Sequence, residues 1–238
     1  MALISPPALE RALSPNRLRG YALPGDSAVD ELARYLWNWA LSAALQPALH
    51  TLEITLRNEI ARAAAKAMVG RSYTPALIPT WLDATPSMLM PHELAKVDKA
   101  KERLGADPLA HTEGHLIAKL DFGFWVALCR RPYDDARGEG PRLWPAILRD
   151  GLGFKSLPAT VTTRAEIHEP LDEIRIFRNR VAHHEPIWDR QYLARHQQIL
   201  DCISWMSPKL ASATAALSPA VTTFQAGVAR FRPLGALI

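Results

Sequence analysis

The stretch Ala48-Leu49-His50-Thr51-Leu52-Glu53-Ile54-Thr55-Leu56-Arg57-Asn58-Glu59-Ile60 sets Leu49, Leu52, Leu56 and Ile60 three and four residues apart. At about 100° per residue these four side chains share one stripe of an α-helix, and a two-residue strand alternation does not fit them. Apolar spacing of the same kind recurs in nearly every segment of the chain, so the sequence reads as all-α. Working outward, a helix is predicted over 27–45, broken or kinked by Pro47, and a second over 48–68 with Gly70 as its stop. Shorter helices are predicted over 92–104, 114–130 and 141–149, and long ones over 163–184 and 189–206. The short link between the last two predicts an antiparallel pair. Residues 71–91 read as an irregular excursion and 132–140 as an exposed loop. Beyond Pro219, Val221, Phe224, Val228 and Phe231 fall on one face of a final helix. The expected organisation is one domain over 1–215 followed by a helical tail over 216–238.

Composition narrows the function classes only a little. The 238 residues carry a net charge of +4, which suits a polyanionic partner without identifying one. Cys129 and Cys202 offer neither metal-ligand spacing nor a disulfide framework, which fits a reducing cytoplasm. His111 and His115 stand four apart, but Gly114 between them and the lack of a third ligand argue for a helix start rather than a metal site. No basic leader and no run of about 18 apolar residues is found, so a soluble, unexported protein with no membrane partner is expected. Trp37, Trp39, Trp125 and Trp144 lie in helical apolar patterns and read as core or dimer packing. Arg11, Arg17 and Arg19 read as a solvated basic face, with contact to RNA phosphates as the alternative.

Chemistry concentrates in Ile176-Phe177-Arg178-Asn179-Arg180-Val181-Ala182-His183-His184-Glu185-Pro186. Ile174, Phe177 and Val181 define a buried stripe, Arg178 lies at its edge, and Asn179 and His183 share another face four residues apart. Pro186 keeps Glu185 out of the helix, so both histidines are expected in its final turn. An arginine fork recognises phosphate oxygens, and histidine is the side chain that ordinarily titrates near neutral pH. Glu53, inside the leucine stripe, is an unusual carboxylate expected to orient Arg178 or Arg57. The bland alternative makes Arg178 an interhelical salt-bridge residue, with Asn179 and His183 capping a helix end.

Arg178-Asn179 followed by His183 resembles the Arg-polar-His signature of the HEPN superfamily of helical domains. The likeness extends to Ser14-Pro15-Asn16-Arg17-Leu18, Tyr35, Trp37-Asn38, Leu52-Glu53-Ile54-Thr55-Leu56-Arg57-Asn58, Gly114-His115, Phe122-Gly123-Phe124-Trp125 and Leu143-Trp144, a pattern similar to Abi-like proteins of the AbiD/AbiF type. It covers roughly residues 14 to 205. The resemblance implies a HEPN-like helical bundle with additional helices and a metal-independent endoribonuclease of bacterial phage defence, of abortive-infection or toxin type. It makes Arg178, Asn179 and His183 catalytic, His183 fitting the family spacing better than His184. Glu53, Arg57, Asn58 and His184 are supporting candidates. The implied partners are RNA, a second copy of the chain, and an antitoxin or small-RNA regulator; no metal or other cofactor is implied. The alternative is a catalytically silent HEPN module that binds RNA or acts as a sensor or scaffold. A helical DNA-binding regulator is disfavoured because no compact basic recognition helix stands out.

Overall fold

In the computed structural model, which describes residues 11–67, 72–73, 80–85, 87–105, 112–134, 143–144, 148 and 153–232, most of the described chain is helical. The helices are α1 (Pro15–Arg19), α2 (Ala28–Ala67), α3 (Pro91–Leu104), α4 (Glu113–Lys119), α5 (Phe122–Ala127), α6 (Arg164–Ala182), α7 (Tyr192–Met206), α8 (Pro208–Leu217) and α9 (Ala220–Ala226). Among the described residues, extended pairing is confined to a two-residue antiparallel ladder and one bridge. In the ladder, β1 (Ser72–Tyr73) runs beside β2 (Ala84–Thr85); the bridge joins Asp134 and Trp144. The fold is all-α, and no helix among the described residues is long and apolar enough to cross a membrane.

The two helices expected on either side of Pro47 form one 40-residue helix. Proline removes the amide that would bond the carbonyl of Ala43, and its ring crowds that carbonyl. Both Ala43 and Pro47 face solvent, so water can take over the carbonyl. Ala44, Leu45, Ala48 and Leu49 are buried on the opposite side and hold the axis together across the break.

The single helix expected over 114–130 is instead two. Thr112 caps α4 by accepting the amide of His115 at 3.2 Å, so the helix start read at His111–His115 is present; His111 itself lies outside the described residues. Asp121 caps α5 by accepting the amide of Phe124 at 2.7 Å. An aspartate that satisfies a helix-start amide competes with continuation of the preceding helix, which explains the interruption.

Tyr133, expected in an exposed loop, lies in a 3₁₀ turn (Arg131–Tyr133) and is buried. Its hydroxyl donates to Glu93 at 2.9 Å and accepts from the amide of Met90 at 3.1 Å, so two polar partners draw the ring inward. Leu143 and Trp144 are not helical, and most of the remaining residues of 141–149 lie outside the described set, as does Gly70.

The chain divides into two compact units. The first comprises Met1–His50, Ile176–Leu200 and Ala213–Ile238; the second comprises Thr51–Arg175 and Asp201–Ser212. In the first, Phe224 stacks on Tyr192 with ring centroids 5.4 Å apart and packs against Trp37 at 5.6 Å. Val221 is exposed, so the last helix buries a narrower face than the four-residue stripe predicts, and Gly227 at φ +63° ends it before Val228. In the second, Trp125 is fully buried and packs against Phe124 at 5.0 Å and Trp81 at 6.4 Å.

Replacing Pro47 by alanine restores an amide donor at a solvent-facing position. Pro47→Ala is expected to stabilise the protein by about 1–2 kcal/mol in urea unfolding. A loss of stability would show that the ring contributes packing that alanine cannot replace.

Candidate functional site

The last turn of α6 begins with a buried anchor, since Phe177 and Val181 are both in the core. The helix ends in a Schellman turn, in which the amide of Glu185 bonds the carbonyl of Arg180 at 2.9 Å and that of His184 bonds Val181 at 3.2 Å. His184 occupies the left-handed position at φ +55°, usually filled by glycine. Regular helix therefore stops at Ala182, one residue before the two histidines expected in its final turn.

Three side chains of the first unit fix this strained turn. Arg17 Nη1 and Tyr21 Oη each donate to the carbonyl of His184 at 2.9 Å. Asn38, only 3% exposed, donates from Nδ2 to the carbonyl of Glu185 at 3.2 Å and accepts from the amide of Ile187 at 2.8 Å through Oδ1. It also donates to Tyr21 Oη at 3.3 Å. Only one orientation of the amide satisfies all three partners. Burial, with a further contribution from Tyr35, pushes the Tyr21 phenol up to about 12, so it stays protonated and able to donate.

The segment carrying Tyr21 is held in turn by Arg34, which donates to the Tyr21 carbonyl at 2.6 Å and pairs with Asp26. The Arg34 guanidinium lies 5.5 Å from the Trp188 ring centroid, a cation–π contact. The hydrogen bond from Arg34, followed by the Leu23 amide, holds the Asp26 carboxyl below its usual range.

On this frame Arg178 and Asn179 are half-buried, whereas His183 and His184 are exposed. The His183 amide bonds the carbonyl of Asn179 at 2.9 Å, which places those two residues one turn apart. Arg180 pairs with Glu185 at 3.2 Å on the surface, where such a contact contributes little to stability. Arg178, Asn179, His183 and His184 thus all belong to this helix end, the two imidazoles exposed and the other two side chains half-buried.

Glu53 and Arg57 are half-buried and Asn58 is exposed, all on the part of α2 that belongs to the second unit. The pairing of Glu53 with Arg178 stays an expectation from the sequence. On the same stretch Glu59 is buried and paired with Arg62, a carboxylate that the leucine stripe did not single out. Trp39 is 67% exposed, so of the core or dimer packing expected for it the core is ruled out. Among the described residues no cluster of three or more His, Cys, Asp or Glu is arranged to hold a metal ion.

The positioning roles of Arg17, Tyr21 and Asn38 are not readable from the motif. One signal was present: Asn38 stands in the buried row Arg34, Asn38, Leu41 and Leu45, where an amide needs internal partners. Asn38→Leu, which strands the Ile187 amide and the Glu185 carbonyl, is expected to cost about 2–4 kcal/mol in urea unfolding. His184→Gly should leave stability unchanged or raise it by up to about 1 kcal/mol, whereas His184→Val should cost about 1–2 kcal/mol. Equal stability of the valine variant would show that this backbone position imposes no left-handed constraint.

No family model, curated protein or solved structure matches the chain.

Proposed function

We propose that this protein is a metal-independent endoribonuclease of the HEPN type, acting in bacterial phage defence, with Arg178, Asn179 and His183 as its catalytic residues. The observation that carries the reading is the exposed His183 imidazole at a helix end whose backbone is fixed from outside by Arg17, Tyr21 and Asn38. Preorganisation of this kind is what a proton-transfer site requires, because a group that must be repositioned for each turnover loses rate. A HEPN-like helical bundle is the fold reading that accompanies it.

In the proposed reaction the 2′-oxygen of the RNA attacks the adjacent phosphorus and the bond to the 5′-oxygen breaks. His183 removes the 2′-proton or protonates the departing 5′-oxygen. Arg178 donates to the non-bridging oxygens as negative charge builds on the phosphorane, and Asn179 positions the phosphate or the imidazole. The products carry 2′,3′-cyclic phosphate and 5′-hydroxyl ends. Glu53, Arg57, Asn58 and His184 take supporting roles. A second copy of the chain completes the working cleft, and an antitoxin or small RNA restrains it.

The test is cleavage of total bacterial RNA in EDTA by wild type, His183→Ala and His184→Gly, with end-group analysis of the products. Wild type should leave cyclic phosphate ends, His183→Ala should fall by roughly 10²–10⁴-fold, and His184→Gly should retain most of the activity. Equal cleavage by wild type and His183→Ala would move catalysis away from this imidazole. Binding of RNA without cleavage by any of the three proteins would favour a silent sensor or scaffold.

A further inference from the structure

A second collection of charged side chains lies wholly within the second unit and shares no residue with the end of α6. A cleft of about 460 Å³ is lined by Glu93 and Lys96 of α3, by Arg130 in the turn after α5, and by His168, Asp172 and Arg175 of α6. The last three are spaced four and three residues apart, which places them on one face of the helix. Gly123 shapes the wall beside Arg175: a Cβ there would stand 3.2 Å from Asp121 Oδ1 and 3.5 Å from Arg175 Cδ.

The polar groups of this cleft are incompletely matched. Asp172 accepts from Arg175 Nε at 2.7 Å, which orients the guanidinium and leaves its two terminal nitrogens without a partner among the described residues. Among those residues, neither Lys96 nor Arg130 has an ion-pair partner. The Nε2 atom of His168 is buried with no hydrogen-bond partner. Burial holds this imidazole below its ordinary pKa; Asp172 opposes the shift, Arg164 and Arg130 reinforce it, and Glu169 opposes it weakly.

Three cations face the space against two carboxylates, one already engaged by Arg175 and the other, Glu93, bonded to the Tyr133 hydroxyl. A fork and two further cations around one opening match a terminal phosphate, which offers several anionic oxygens at once. The opening also continues into a second, more apolar lobe of about 540 Å³ lined by Met90, Pro91, Pro132 and Tyr133. Glu93 and Arg130 line both lobes, so the two are contiguous. Each volume lies within the range of about 300–1,000 Å³ usual for small-molecule sites. Glu93 would repel phosphate but accept hydrogen bonds from hydroxyl or amino groups. The ligand therefore has an anionic end and an apolar end bearing donors.

We propose that this two-lobed cleft is a separate binding site for the terminal phosphomonoester of a nucleotide, with Lys96, Arg130 and Arg175 on the phosphate and Glu93 on the nucleoside. The site stands independently of the ribonuclease reading. Two sources supply this chemistry, a free mononucleotide and the phosphorylated end of an RNA.

The test is calorimetric titration of the full chain with AMP, adenosine, inorganic phosphate, and a short RNA with and without a 5′-phosphate. AMP should bind, adenosine should bind at least tenfold more weakly, and added salt should weaken AMP. Lys96→Gln and Arg130→Gln remove side chains that no carboxylate among the described residues pairs with, so each should weaken AMP at least tenfold while leaving the melting temperature unchanged. His183→Ala should bind AMP as wild type does, which separates this site from the α6 end. An RNA that binds only when 5′-phosphorylated, and competes with AMP, identifies the RNA end as the source; AMP binding without it identifies the free nucleotide. Absence of heat and of a thermal shift with both AMP and phosphate overturns the proposal, as does AMP binding that survives both substitutions.

Discussion

One buried amide, that of Asn38, governs the geometry of the α6 end. It reaches from the first third of α2 to both sides of Pro186, taking the carbonyl of Glu185 and the amide of Ile187, and it also donates to the hydroxyl through which Tyr21 holds His184. An apolar side chain of similar size would fill the space and leave backbone groups stranded away from water, each costing more than an ordinary hydrogen bond contributes. The direction of the chain after α6 is thus set by polar complementarity rather than by packing alone. Arg34 extends the same control to Tyr21, whose carbonyl it binds while its other contacts engage Asp26 and the face of Trp188.

This constraint gives two adjacent histidines different physical roles. The backbone of His184 is committed to a left-handed turn, and its carbonyl accepts two hydrogen bonds from outside the helix. His183 keeps an ordinary helical amide bond to Asn179 and leaves its ring exposed. A strained backbone position persists only where its surroundings over-determine it. Here the Schellman bonds, the Asn38 bridge and the pair of donors on His184 do so together.

What the sequence discloses divides along the range of the interactions. Leu52, Leu56 and Ile60, and again Ile174, Phe177 and Val181, are buried as their spacing predicts, because amphipathic periodicity records which face meets the core. Pro47 misleads, because its cost falls on a carbonyl that solvent can reach while neighbouring apolar side chains keep the helix continuous. Tyr133 and Asp121 mislead for a related reason: local polar bonds, to Glu93 and Met90 in one case and to Phe124 in the other, decide the path, and no periodic pattern reports them. Trp39 keeps helical spacing yet faces solvent, since periodicity identifies a face without saying whether anything covers it. At the candidate site the motif residues are legible, whereas the residues that position them come from distant parts of the chain.

That distance has a consequence for how the site comes into being. Arg17 and Tyr21 bond a carbonyl 167 and 163 residues further along, and Asn38 reaches partners 147 and 149 residues away. The first unit is likewise completed by Ala213–Ile238, in which Phe224 stacks on Tyr192 and packs against Trp37. Loop-closure entropy rises slowly with length, by only about 0.6 kcal/mol per doubling, so separation adds little to the equilibrium cost. Its larger effect is on order of assembly, because non-local contacts must wait for the chain that makes them. The residues that fix the turn at 184–187 are synthesised early, the turn itself late, and the aromatic stack beside Trp37 later still. A turn whose bonds join Arg17, Tyr21 and Asn38 to residues 184–187 cannot form before both segments are present, and its geometry is therefore tied to assembly of the first unit.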